Sequence, residues 1–362
     1  MGFLAPHLAG VLDSRREDQG RTRLRGVLAL DDTDLIRAVA GGAQAEATRF
    51  VERFDDAAAR EQLEHREVSA VCRHSPGYPS ALGALTDSPA ILFSTGGPER
   101  LSALHGGRPV AVVGARRPSP YGLEMAYRLG RGLGAAEVTV VSGLALGIDA
   151  AAHRGCLDAG GPAIGVLAGG PDVPYPRSNS GLYERLRGHG IVVSEMPPGV
   201  RPFRWAFPAR NRIMAGLSAA TVVVEAADPS GSLITSDFAQ QMGRTVAAVP
   251  GRATARLAAG SNRLLKDGAL VVTSAEDLLD ELFGVGSRPD PPVRSPVPSD
   301  PVDESILDAV AADMDIDGIC ATAGLPVREA RAALTRLEAA GRVRRDALGA
   351  YHPTAGAAEQ TP

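Results

Sequence analysis

The sequence predicts an α/β fold: a doubly wound, mostly parallel sheet of extended Rossmann-like type, with a small N-terminal helical module and a C-terminal winged-helix domain. Three observations predict it. Between residues 108 and 285, short β-branched runs recur, each nearly continuous in apolar character, with helix-length stretches between most of them. Strands covered by crossover helices on both faces read this way, whereas half-exposed strands alternate. A Pro-rich stretch then interrupts the chain, and beyond it three short helical patterns end in a β-like tail. The length, 362 residues, is enough for two or three domains with at least one sizeable core.

Residues 1–70 read as a charged helical module of SAM or helix-hairpin-helix type. Leu24, Val27 and Leu28, then Leu35, Ile36 and Val39, recur at helical spacing, with capping residues at 31–34 between them. Residues 71–285 form the main domain. It opens on a turn at Gly77-Tyr78-Pro79 and a short strand entering at Ile91, Leu92 and Phe93. The core runs follow at 110–113, 138–141, 163–167, 191–193, 221–224, 245–249 and 270–272. Residues 286–302 are a semi-extended Pro-rich linker. Within 303–353, Ile306, Leu307 and Val310, then Ile316 and Ile319, then Val327, Ala330, Leu334 and Leu337 mark three helices, and 342–353 form a wing. Residues 354–362 read as a disordered tail.

The formal net charge is −4, which excludes a globally basic nucleic-acid binder; any such site is a local patch. Cys72, Cys156 and Cys320 are far apart and lack metal-ligand spacing, as expected of reduced thiols. No run suits a signal peptide or a membrane span, so the expected location is cytoplasmic. Walker A, HExxH and Cys/His metal patterns are absent, and no metal or cofactor is expected.

In an open parallel sheet, ligands bind beyond the carboxyl ends of the strands. The loop after 110–113 carries Gly114, Ala115, Arg116 and Arg117 before a helix start; glycine admits close approach, and arginine grips phosphate without losing its charge. It is no dinucleotide fingerprint, because no GxGxxG opens the helix. The next loop offers the Ser142 hydroxyl and the Gly143 amide, followed by Asp149 and His153 on one helix face. An Asp–His catalytic pair lacks a nucleophile beside it, and a structural hydrogen bond is the expectation there. Arg177 and Asn179 follow the third strand. Residues 201–212 hold four arginines and no acid, interleaved with Phe203, Trp205 and Phe207, in a chain only 4% aromatic. Cations that track phosphates and rings that stack on unpaired bases are what single-strand binders need. Ser230 and Gly231 open another helix, and Ser261 and Asn262 close the rim.

At these residues the chain resembles the DprA/Smf family of DNA-processing proteins. The blocks at 110–116, 142–149, 207–213 and 230–235 look like its signatures, in order. The likeness covers 70–285, and the winged-helix tail is compatible with it. The resemblance implies a dimer that binds single-stranded DNA without sequence preference and delivers it to the recombinase RecA, on strands that single-strand-binding protein otherwise covers. By that resemblance Arg116 leads the phosphate contacts, helped by Arg177, Arg204, Phe207 and Ser261, with amides around Gly114 and Gly143. Arg210, Asn211 and Arg212 belong to the motif, and a structural role for the two arginines stays open. Leu146 stands where many members have Arg, and Arg177 and Arg204 where Lys is common. The rivals are a nucleoside-monophosphate-hydrolysing enzyme and a small-nucleotide sensor on the same rim. The Pro-Gly-Gly-x-Gly-Thr block of the former is missing.

Overall fold

The computed structural model describes residues 26–27, 30–286, 301–312, 314–339, 343–345 and 351–353. The expected tail, nearly all of the linker, and Leu24 and Leu28 lie outside the described residues. The chain divides into two compact units, within Met1–Asp290 and Pro291–Pro362. Among the described residues, no helix is long and apolar enough to cross a membrane.

The first unit begins with helices α1 (Asp32–Val39), α2 (Gln44–Glu52) and α3 (Asp56–His65). Asp31 caps α1 by accepting from the Asp34 amide. Leu35, Ile36 and Val39 bury against Met196, Trp205 and Ala209, so this module shares a core with the main domain. Next come β1 (Val68–Cys72), α4 (Ser80–Gly83), β2 (Ile91–Thr95) and α5 (Pro98–His105). Strand β1 runs across the expected 70/71 boundary. It is not legible in the sequence because only Val68 and Val71 of its five residues are buried.

The parallel part follows: β3 (Val110–Val113), α6 (Pro120–Ala135), β4 (Val140–Ser142), α7 (Ile148–Asp158), β5 (Ala163–Val166), α8 (Ser180–His189), β6 (Ile191–Ser194), α9 (Ala206–Leu217), β7 (Ala220–Val223), α10 (Leu233–Gln241), β8 (Thr245–Ala248), α11 (Ala259–Lys266), β9 (Leu270–Val271) and α12 (Ala275–Phe283). The sheet order is β1-β2-β6-β5-β4-β3-β7-β8-β9, with β1–β2 and β2–β6 antiparallel and every other pair parallel. The fold is therefore the mostly parallel, Rossmann-like α/β sheet that the apolar runs predict. Val110 and Val112 pack on one face with Leu129, Ala152, Leu186 and Leu278, while Val113 faces Ile213, Leu217 and Leu233 on the other. Both faces of β3 are dry, which is why its sequence does not alternate.

From β3 the chain winds outward through β4, β5 and β6, then returns to start β7 on the other side of β3. The switch point therefore lies between β3 and β7. Helices α6 and α7 touch backbone to backbone. A Cβ on Gly130 would stand 2.1 Å from the Ala152 carbonyl oxygen, and one on Gly155 2.1 Å from that of Tyr127.

The second unit has α13 (Pro301–Ala311), α14 (Ile316–Ala323), α15 (Val327–Ala339) and an antiparallel pair, β10 (Val343–Arg345) with β11 (Tyr351–Pro353). Ile306, Val310, Ile319, Leu334, Leu337 and Val343 form its own core. Asp315 caps α14 by accepting from the Gly318 amide, and Gly324, at φ +65°, ends that helix. This is the winged helix.

Candidate nucleic-acid interface

Strand-end loops meet at the carboxyl edge of the sheet. The Ala115 amide donates to the Glu225 carbonyl (2.7 Å), and the Ile148 amide to the Ala115 carbonyl (3.2 Å). A Cβ on Gly114 would lie 2.6 Å from Ile148 and 2.8 Å from the Glu225 carbonyl oxygen. The loops after β3, β4 and β7 therefore fit together only with glycine there. At the switch point itself, the Glu225 carboxylate accepts from the Ser119 amide (2.8 Å) and hydroxyl (2.6 Å) at the start of α6. A Cβ on Gly122 would be 2.4 Å from the same carboxylate. The seat that a Rossmann fold offers to a phosphate is filled by the chain's own acid.

The open cavity lies beside it, past the ends of β4 and β5. It has a volume of about 130 Å³ and apolar walls from Leu144, Leu146, Leu167 and Pro202. Arg116, Tyr175, Phe207 and Arg210 also line it. The Arg116 guanidinium sits 5.1 Å from the Phe207 ring centre, and the Tyr175 ring leans on Phe207 at 5.6 Å and 55°. Cation–π contact positions Arg116 without neutralising it. Tyr175 is 49% exposed. Arg116, Arg117, Arg177 and Arg204 are all exposed, and none has a salt bridge among the described residues. Arg177 directly follows the lining residue Pro176; Arg204 opens the turn that Phe207 closes, its carbonyl accepting from the Phe207 amide (3.4 Å).

Beneath the cavity lies a buried charge pair. Arg210 donates to the Val166 carbonyl (2.6 Å), while its Nε has no partner. A Cβ on Gly143 would be 2.0 Å from an Arg210 guanidinium nitrogen and 2.5 Å from Asp149 Oδ2, so that glycine lets the two groups flank the loop. Burial pushes the Asp149 carboxyl up to about 6, opposed by the positive charges of Arg210 and Arg116. Burial lowers Arg210, and Asp149 opposes that. His153 does not bond Asp149: both ring nitrogens lack partners. Burial pushes its pKa down to about 4, with the nearby Ser142 and Gly143 backbone easing the fall without closing a hydrogen bond.

Several expected contact side chains point inward instead. Arg212 is sealed in the interior, donating to Glu195 (2.9 and 2.7 Å) and to the Asp87 and Ala209 carbonyls (3.0 and 2.7 Å). Ser142 donates to the Val112 carbonyl (2.6 Å), Asn179 to that of Leu144 (2.9 Å), Asn211 to that of Gly231 (3.1 Å) and Ser261 to that of Ala258 (3.2 Å). All four are at most 8% exposed, so these hydroxyls and amides serve the fold, as Arg212 does. Asn262 clamps Gly251, and Ser230 bonds Ser232, both away from the cavity. Sequence reasoning missed Tyr175 as an exposed wall, Asp149 as the counter-charge and Glu225 as the plug.

A family model described as DNA recombination-mediator protein A matches residues 69–283, more than half of the chain, and one described as the DprA winged helix domain matches residues 290–347. The chain belongs to the DprA/Smf family. Among curated DprA/Smf relatives, the DNA processing protein DprA of Bacillus subtilis is 39% identical over 234 residues, covering 64% of this chain and 78% of that one. Protein Smf of Escherichia coli is 39% identical over 289 residues, covering 78% and 75%. The chain spans only 51% of a Mycobacterium tuberculosis DprA relative to which it is 46% identical over 199 residues. The X-ray structure of DprA from Streptococcus pneumoniae matches with a TM-score of 0.60 and 36% identity, over 70% of this chain and 87% of that one. DNA processing protein A from Helicobacter pylori, in a structure concerned with its single-stranded DNA binding mode, matches with a TM-score of 0.53 and 28% identity, over 60% and 95%.

Proposed function

We propose that this DprA/Smf protein binds single-stranded DNA without reading its sequence, holding phosphates with Arg116, Arg177 and Arg204 and a base edge against Phe207 and Tyr175. One observation carries the reading: Arg116 is exposed at the mouth of the cavity, fixed over Phe207, and unpaired with any acid among the described residues. A charge so held serves an external anion, and adjacent rings suit a base. The Helicobacter pylori relative supports the choice of a single strand. Delivery to RecA on strands coated by single-strand-binding protein, and action as a dimer that holds the strand by avidity, follow from the family reading. The protein acts by binding and catalyses no reaction.

The test is fluorescence anisotropy with labelled oligo-dT over a salt series. Arg116→Glu should lose most of the affinity. Arg116→Ala should weaken binding and lower the slope of log K on log salt by about 0.7, one phosphate contact. Wild-type affinity in both variants would falsify the site.

Glu225 weighs against the mononucleotide readings. Its carboxylate holds the helix start where a nucleotide phosphate would sit. Excess mononucleotide should leave oligo-dT bound, and incubation with nucleoside monophosphates should release no free base.

A further inference from the structure

The cavity occupies the β4–β5 end of the carboxyl edge, yet the same edge carries unpaired positive charge at its other end. Arg252 and Arg256, in the loop after β8, are exposed, and neither forms an ion pair with a described residue. Two acids of the neighbouring loop after β7 are already engaged: Asp228 pairs with Arg263 at 2.6 Å, and Glu225 is buried against Ser119. Between this loop and the Arg116–Arg117 loop stands Tyr121, in the first turn of α6. The residue is 45% exposed, and its hydroxyl donates to the Pro250 carbonyl (3.0 Å). The loop beyond Pro250 is itself fixed, because Asn262 both donates to the Gly251 carbonyl (3.1 Å) and accepts from its amide (3.0 Å).

We propose that Tyr121, Arg252 and Arg256 form a second stretch of the single-strand path, running from the cavity across the β3 end to the β8 end of the sheet. The inference rests on the single-strand reading of the cavity. An exposed aromatic ring pinned at its far end by a backbone carbonyl is a stacking platform that loses little freedom when a base lies on it. Guanidinium groups stand before it, at Arg116 and Arg117, and beyond it, at Arg252 and Arg256, so charge and ring alternate along the edge. Only β7 separates β3 from β8, which puts the two cationic loops roughly 10 Å apart at the usual strand spacing. That is about one Debye length, so one flexible polyanion feels both. A strand filling the whole path crosses from β5 to β8, four strand spacings, or roughly 20 Å.

The experiment compares oligo-dT of about 4 and about 16 nucleotides, the limits of common single-strand site sizes, on the full-length protein. The variants are Tyr121→Leu, Tyr121→Phe, Arg252→Ala with Arg256→Ala, and Arg116→Ala, each checked for a wild-type thermal melt. The double arginine variant should weaken the long oligonucleotide and lower its salt slope by about 1.4, while leaving the short one within about twofold. Tyr121→Leu should weaken the long oligonucleotide by roughly five- to hundredfold, and Tyr121→Phe, which keeps the ring, should restore most of it. If the double variant binds the long oligonucleotide with wild-type affinity and slope while Arg116→Ala is impaired, the extension is wrong and the central site stands. Equal loss for both lengths also overturns the extension. Indifference of both lengths to Arg116→Ala overturns the site and the extension with it.

Discussion

Arg116 and Arg212 carry the same charge and are used in opposite ways. Arg116 lies over an aromatic face, forms no ion pair among the described residues and stays available. Arg212 is 1% exposed and commits its donors to Glu195 and two backbone carbonyls. Arg212→Leu should leave the buried Glu195 and Asp87 carboxylates without their counter-charge, costing about 3–5 kcal/mol in urea unfolding. Arg210 lies two residues before it, roughly 200° round the helix, so it reaches the floor of the cavity instead. The Asp149 carboxyl is held near 6, so its protonation as pH falls through about 6 removes a negative charge from beneath the site. Oligo-dT affinity should rise across that window in the wild type and stay flatter in Asp149→Asn. The stability signs differ between the two buried groups. A raised Asp149 contributes stability below its usual 3.8 and loses it as pH rises through about 6. A depressed His153 contributes above 6.5 and loses it as pH falls toward about 4. Their windows overlap and offset one another, so Asp149→Asn should lose unfolding free energy more steeply than wild type on acidification.

Among the elements, the parallel strands are legible in the sequence because burial on both faces leaves an unbroken apolar run, and β1 is not, because it is half-wet. The rim loops are legible by their glycines and arginines. Their inward commitments are not: nothing local says that Ser142 turns to Val112, or that Ser119 binds an acid 106 residues away. Helices α6 and α7 are packed as a pair. Each begins in a rim loop, and they touch through Gly130 and Gly155. Gly130→Ala should push them apart, at about 1–3 kcal/mol for overpacking, and so lower both the melting temperature and the oligo-dT affinity. A variant with wild-type values of both would remove the coupling between this contact and the rim.

The molecule as a whole bears a net charge of −4, so the proposed hold on a polyanion must come from a local patch, here the carboxyl edge of the sheet. The winged helix has its own core, and Arg328 and Arg331 on α15 are exposed beside Glu329. Removing residues 288–362 should therefore leave oligo-dT affinity unchanged; separate titrations with duplex and single strand check this, and a large loss of single-strand affinity would move the site. The carboxylate of Glu225 has a broader consequence. Because it plugs the scaffold's usual socket from within, abundant small metabolites should not compete for the proposed single-strand site, and one acidic residue would mark the divide between a receptor for monomers and a handler of chains.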